Sequence, residues 1–143
     1  MLTAAATIDI VGGREIAGGD VSGTMDMVRL VRQGLPARAV QFVIDAGRLT
    51  LAEVDRIVMP RKTLANRKRQ GTLTPEQTDR LLRVARVIAG AEATFGSKEK
   101  ASIWLRRPTL GLAGERPLDV LDTAEGTRAV ETLLGRIDHG IAA

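Results

Sequence analysis

The chain has 143 residues, 44% of them hydrophobic and 27% charged, the mix of one ordinary globular domain or two small ones. It has no cysteine, one histidine and only 2% aromatic residues. That excludes disulfides and thiolate chemistry and leaves Leu, Val, Ile and Ala to build a core, a composition suited to helices packing on helices. The net charge of +4 divides into −2 over residues 1–55, +7 over 56–86, +2 over 87–114 and −3 over 115–143. A basic middle between acidic ends points to an anionic partner for one part only.

In chain order, residues 1–23 are rich in Gly and Ala, with pairs at Gly12-Gly13 and Gly18-Gly19. The stretch ATIDIV can form a short strand, and the remainder reads as a flexible arm. Its glycines match neither GxGxxG nor a Walker loop, so no phosphate cradle is expected. Thr24 to Arg32 has helical spacing, with Met27, Leu30 and Val31 on one side and Gly34 as its stop. Pro36 suits the first turn of a second helix, with Val40, Val43 and Ile44 inward and Gly47 closing it. Thr50 and Glu53 form a capping box for a third helix with the apolar stripe Leu51, Val54, Ile57 and Val58. Pro60 ends that helix and opens the next, which runs to about Arg69 and stops at Gly71.

Thr74-Pro75-Glu76-Gln77 is the strongest helix start in the chain: a capping Thr, Pro at the first helical position and Gln completing a box. The long helix that follows reaches Phe95, with Leu81, Ala85, Ile88 and Phe95 on its buried face and Gly96 as its stop. Ser97 caps a helix carrying Ala101, Trp104 and Leu105, which Pro108 ends. TLGLAGERP reads as a loop. A last helix runs from about Glu125 to Asp138, with Val130, Leu133, Leu134 and Ile137 at helical spacing. The expected fold class is all-α: an arm at 1–23, a helix-turn-helix bundle at 24–74 and a small helical domain at 75–143. The long helix would be shared by the last two. No stretch approaches the roughly 18 apolar residues of a membrane span. The start MLTAAATIDIVGG has no basic leader, so a cytoplasmic location is expected.

Residues 61–70, RKTLANRKRQ, carry five cations and no anion. Helix, tight break, basic helix and closing glycine follow the order of a helix-turn-helix. The helix from Thr50 to Val58 braces the second, and Leu64 holds the second against it. Arg61, Lys62, Thr63, Asn66, Arg67 and Lys68 are then left around the outer surface as candidate DNA contacts. Arg and Lys neutralise phosphates, while Arg and Asn read guanine and adenine edges. Arg80, Arg83 and Arg86, at spacing three, extend the strip. The alternative for any such run is a solvated helix face. Operators of this motif are read by dimers, so a homodimer built through the N-terminal half is expected.

From residue 73 onward the motifs resemble those of the Xre/MbcA/ParS toxin-binding antitoxins. LTPEQTDRLLRVARV resembles the family's Leu-Ser/Thr then Asp-Arg-Leu segment. ATFGSKEKASIWLRRP resembles its Phe-Gly, Ala-x-x-Trp-Leu, Pro segment, and LGLAGERPLDVLDTAEG its Gly, Pro-Leu-Asp-Leu-Leu, Gly segment. VETLLGRIDHG resembles its closing Leu-x-x-Ile-x-x-Gly helix, and upstream RKTLANRKRQG resembles its helix-turn-helix. The five pieces stand in the family's order over residues 35–140. Pro60-Arg61-Lys62 departs from the pattern, where the family more often has a Ser and an Arg before Thr-Leu. Residues 1–23 have no counterpart.

The resemblance implies a type II antitoxin with an Xre-like N-terminal half that binds the operator of its own operon. It also implies a C-terminal half that binds and neutralises a cognate RES-type toxin, which in the family depletes cellular NAD. The antitoxin itself would use no cofactor and carry out no reaction. Interfaces favour Trp and Arg anchors, so Trp104 beside Phe95, and Arg106, Arg107, Leu110 and Leu112 in RRPTLGLAGERP, become candidate toxin contacts. Trp104 also reads as a core residue, since Ala101 and Leu105 share its face, and the loop also reads as a helix connector. An acidic tail suits a positively charged cleft, and an NAD-binding toxin must hold a pyrophosphate. The chain's end, Arg136, His139, Gly140 and Ile141, is therefore expected at the mouth of the toxin's active site.

His139, the lone histidine, suits a helix C-terminus through the dipole. Zinc requires three or four convergent ligands, so no metal site is expected. No Ser-His-Asp arrangement is evident, and Asp122-Thr123-Ala124-Glu125 reads as a helix cap rather than a catalytic carboxylate pair. Two other readings remain. One is a stand-alone helix-turn-helix regulator with a C-terminal dimerisation domain. The other is a small enzyme, for which the inventory of nucleophiles and bases is poor.

Overall fold

The computed structural model describes residues 3–140. The chain forms α1 (Ala4–Ile10), α2 (Gly13–Ala17), α3 (Thr24–Gln33), α4 (Arg38–Asp45), α5 (Leu51–Ile57), α6 (Arg61–Gln70), α7 (Pro75–Phe95), α8 (Lys98–Leu105) and α9 (Ala124–Asp138). Two 3-10 turns, Leu110–Leu112 and Pro117–Asp122, connect α8 to α9. Among the described residues there is no strand, only an isolated antiparallel bridge between Pro36 and Thr72. The all-α expectation holds.

Side-chain caps set the boundaries. Thr50 Oγ1 accepts the Glu53 N–H at 3.1 Å, and Glu53 Oε1 accepts the Thr50 N–H at 2.9 Å. Thr74 and Gln77 repeat the box at 3.1 and 3.0 Å, with Pro75 as the first helical residue. Thr123 caps α9 by accepting the Gly126 N–H at 2.9 Å. The central element is α7, on which α1, α3, α8 and α9 all pack. Its buried Leu81, Leu82, Val84, Ala85, Val87 and Ile88 cover more than one face for that reason. One continuous core runs from Ile8 to Leu134 and includes Val54 and Leu64 of the basic half and Leu118, Leu121 and Val130 of the C-terminal half. Burying each such side chain contributes about 1.5–3 kcal/mol. Phe95 and Trp104 sit at the edge of this core, half-buried.

The N-terminal segment corrects the expectation. Residues 4–17 form neither a strand nor an arm. Thr3 Oγ1 accepts the Ala6 N–H at 3.1 Å and starts a helix. Thr7, Ile8, Ile10 and Val11, each at most 3% exposed, then form a helical stripe laid along α7. The alternation of Ile8 and Ile10 mimics a strand. The Thr cap, the Ala tract and Val11, one turn beyond Ile8, favour the helix. Leu51, expected in the stripe of α5, is instead 40% exposed at the first position of that helix.

Two glycines permit close approaches. At Gly34, with φ +85°, a Cβ would lie 2.3 Å from the Leu73 carbonyl oxygen. Its absence lets the α3–α4 junction reach the α6–α7 turn, where Leu73 N donates to Leu35 O at 2.8 Å and Ala37 N to Gly71 O at 2.9 Å. At Gly126 a Cβ would lie 1.9 Å from the Val120 carbonyl oxygen, where α9 crosses the second 3-10 turn. Backbone cannot yield there as a flexible side chain would. Gly126→Ala is therefore expected to destabilise the fold by about 3 kcal/mol. The check is a lowered urea midpoint at unchanged m-value.

Candidate functional site

The basic helix α6 is positioned by α5. Asp55 Oδ1 accepts the backbone N–H of Arg61 at 2.8 Å across Pro60, so the bracing helix caps the basic one. Leu64, 2% exposed, anchors α6 inward. Arg61, Lys62, Asn66 and Lys68 are exposed and Thr63 is half-buried. Among the described residues none of the five cations of α6 takes part in an ion pair. A helix face with that much unpaired charge draws a polyanion.

Arg67 departs from the expected outward role. Its Nε and one terminal nitrogen donate to the Thr72 carbonyl at 2.9 and 2.6 Å, and the other donates to Gln70 Oε1 at 2.7 Å. The side chain folds back over the C-terminus of α6 and binds the chain that leaves it. The arginines of α7 divide likewise. Arg86 pairs with Glu131 of α9 at 3.0 Å, and Arg83 lines a groove between α3 and α7 with its Nε buried and unpartnered. Arg80 is exposed.

In the C-terminal half, Arg106 turns into the fold. It donates to Glu53 Oε2 at 3.0 Å and Oε1 at 2.7 Å, to the Arg48 carbonyl at 3.1 Å, and to Ser102 O and Oγ at 3.3 and 2.6 Å. All five guanidinium donors are used inside the fold, which leaves none for a partner. Glu53 therefore caps α5 and also ties it to α8. Burial would raise its pKa, but hydrogen bonds from Arg106 and the Thr50 N–H outweigh that and hold Glu53 below the usual glutamate range. Asp119 is likewise held low, chiefly by its hydrogen bonds from Arg116, with burial opposing and Arg56 assisting. Arg56 of α5 reaches Asp119 at 2.6 Å. These pairs fasten the helix-turn-helix to the C-terminal helices.

Leu112 faces inward as well. It is 9% exposed and anchors the loop, whereas Leu110 is 94% exposed. The loop closes on itself: Thr109 O accepts the N–H of both Leu112 and Gly114, and Thr109 N donates to Glu115 O at 3.0 Å. Ala113 takes a left-handed conformation, φ +56°, to complete it, at about 1–2 kcal/mol of strain. Arg107 is exposed, and so is Ile103 at 59%, a residue the motif reading passed over. The available signal was its place opposite the Ala101–Leu105 stripe of α8. Trp104 leans on Phe95 with ring centroids 5.4 Å apart and a 39° interplanar angle. A Cβ on Gly111 would lie 3.4 Å from Leu133 of α9, so the Leu110 loop adjoins the last turns of that helix. Arg136, His139 and Gly140 are exposed there, while Ile141 lies outside the described residues.

Among the described residues no cluster of His, Cys, Asp or Glu is arranged to hold a metal ion. No described helix is long and apolar enough to cross a membrane.

Two family domains match in succession. Residues 26–86 match the antitoxin Xre-like helix-turn-helix domain, and residues 90–140 match the antitoxin Xre/MbcA/ParS C-terminal toxin-binding domain. The chain is 38% identical over 111 residues to an Antitoxin Xre of Pseudomonas putida, covering 77% of this chain and 69% of that protein. It is 31% identical over 131 residues to an Antitoxin Xre of Yersinia enterocolitica, covering 90% and 88%. A Prs ADP-ribosylating antitoxin of a Sphingobium species is 28% identical over 132 residues, covering 81% and 80%. With the basic α5–α6 pair inside the first match and the exposed Leu110 loop inside the second, the chain belongs to the Xre/MbcA/ParS family of antitoxins.

Proposed function

We propose that this antitoxin neutralises a RES-type toxin that depletes NAD, and that it represses its own operon as a homodimer within the toxin–antitoxin complex. Residues 24–74 would carry the operator contacts and residues 75–143 the toxin contacts, in the cytoplasm. The observation that carries the reading is Leu110, 94% exposed at the tip of a self-bonded loop inside the toxin-binding match. A large apolar side chain held in water by a pre-formed loop suits a docking surface. Ile103 and Trp104 of α8 and Arg107 just beyond it would extend that surface, and Arg136, His139 and Gly140 would contribute to it from the end of α9. The Sphingobium relative's name includes ADP-ribosylation, a chemistry that consumes NAD, and this supports an NAD-directed partner. The test is intracellular NAD. Expressing the neighbouring reading frame alone should deplete it, and adding this chain should restore it. NAD unchanged by the neighbour would remove the RES assignment.

On the DNA side, Lys62→Ala should flatten the salt dependence of operator binding by about 0.9 in log–log slope, the worth of one phosphate contact. Arg67→Ala should flatten that slope less than Lys62→Ala does and should also lower the thermal midpoint, because its guanidinium, though still charged, is held over the end of α6 by Thr72 and Gln70. Titrations at several salt concentrations separate the two outcomes.

A further inference from the structure

A second basic surface adjoins α6. The Pro36–Thr72 bridge and the Ala37 N to Gly71 O bond, 2.9 Å, bring the start of α4 against the end of α6. Arg38 is thereby set beside Lys68. Together with Gln41 they line an open concave surface of about 450 Å³. Arg38 is exposed and has no ion-pair partner among the described residues. Gln41 is oriented from both sides: its Nε2 donates to Asp45 Oδ1 at 2.8 Å, and its Oε1 accepts from Lys68 Nζ at 2.7 Å. The Asp45 carboxylate is thus engaged with the amide rather than with the ammonium. Lys68 keeps two of its three N–H donors and all of its charge.

We propose that Arg38 and Lys68, the latter held in place by Gln41, grip one backbone phosphate of duplex DNA beside the groove that α6 enters. The proposal rests on reading α5–α6 as the DNA-binding unit. Three features favour DNA over a free anion. Lys68 belongs both to this surface and to the unpaired cationic face of α6, so a strand lying along α6 passes over Arg38. The surface is open, which suits a polymer running across it. Two cations without a buried hydrogen-bond cage match a singly charged phosphodiester held by Coulomb attraction, which is how helix-turn-helix proteins fix their register on the duplex. Gln41 is a positioning residue: it carries no charge to the phosphate and acts by holding Lys68.

The experiment titrates the full-length chain and its variants with two duplexes, one from upstream of its own reading frame and one of unrelated sequence, across a range of salt. Arg38→Ala should bind both more weakly by the same factor, with a slope shallower by about 0.9. The ratio of wild-type to variant affinity should therefore shrink about three- to fourfold between about 50 and about 200 mM salt. Arg38→Lys should keep the wild-type slope. Gln41→Ala should weaken binding while leaving the slope unchanged, because both cations remain. If Arg38→Ala matches wild type in affinity and slope while Lys62→Ala loses its contact, the clamp is overturned and the DNA-binding reading stands. A loss confined to the upstream duplex also overturns it, since a phosphate contact carries no sequence information. If the wild-type chain binds neither duplex at about 50 mM salt, the DNA-binding reading fails and the clamp with it.

Discussion

Replacing Leu110 by Asp is expected to abolish toxin neutralisation while leaving the thermal midpoint of the free antitoxin unchanged. At 94% exposure this side chain contributes almost nothing to the antitoxin's own core, so the substitution should shift stability by no more than about 0.5 kcal/mol. In a complex the same side chain would be buried. A central interface residue of this kind contributes about 2 kcal/mol or more, and a carboxylate forced into the pocket adds a desolvation penalty. The expected loss of toxin affinity is about 30-fold or greater. The loop makes Leu110 a sharper test than Trp104. Leu112 anchors the loop and its own hydrogen bonds close it, so a change at the tip has no route into the fold. Trp104 leans on Phe95, and its removal would disturb the end of α7 as well. Calorimetry with the purified toxin, beside a thermal melt of each antitoxin, gives both numbers. Full neutralisation by the Asp variant would move the interface away from this loop.

Arg106→Ala is expected to do the reverse: to destabilise the whole fold by about 2–3 kcal/mol without removing a toxin contact. It strands the Glu53 carboxylate, whose side chain is only 8% exposed, and it also releases the Arg48 carbonyl and Ser102. Breaking a buried pair on one side costs about 3–5 kcal/mol. The 25% exposure of Arg106 reduces that figure. The pH dependence identifies the cause. Glu53 is held below the usual glutamate range, so its ion pair adds stability above that range and loses it as pH falls through the lowered value. Wild type and Arg106→Ala should therefore differ most near neutral pH and converge in acid. A constant difference at every pH would mean that Arg106 acts through packing alone. Because Glu53 caps α5, the bracing helix of α6, the same variant should weaken operator binding near its melting temperature and not far below it.

Local signals were legible in the chain and distant ones were not. Thr50 with Glu53, and Thr74 with Pro75 and Gln77, form their boxes within four residues, so the starts of α5 and α7 follow from spacing alone. The inward Leu64 and the outward Arg61, Lys62 and Asn66 follow from helical period in the same way. Arg67 and Arg106 look alike on paper, each a cation beside a loop. Their partners are set by how the chain turns and packs: Thr72 comes within reach of Arg67 because Gly71, at φ +95°, reverses the chain after α6, and Glu53 lies 53 residues from Arg106. The first helices were obscured by glycine pairs, which in this chain join α1 to α2 and end α2 rather than dissolving them. Leu110 and Leu112 are two residues apart in one loop. Only the loop's closure decides that one faces the core and the other faces water.

The most direct test of the antitoxin assignment is co-expression with the neighbouring reading frame, followed by affinity capture, size exclusion and a growth curve. The expected result is that the neighbour alone arrests growth, that this chain relieves the arrest, and that the two elute as one complex which Leu110→Asp dissolves. Normal growth with the neighbour alone, and separate elution of the two proteins, would contradict it.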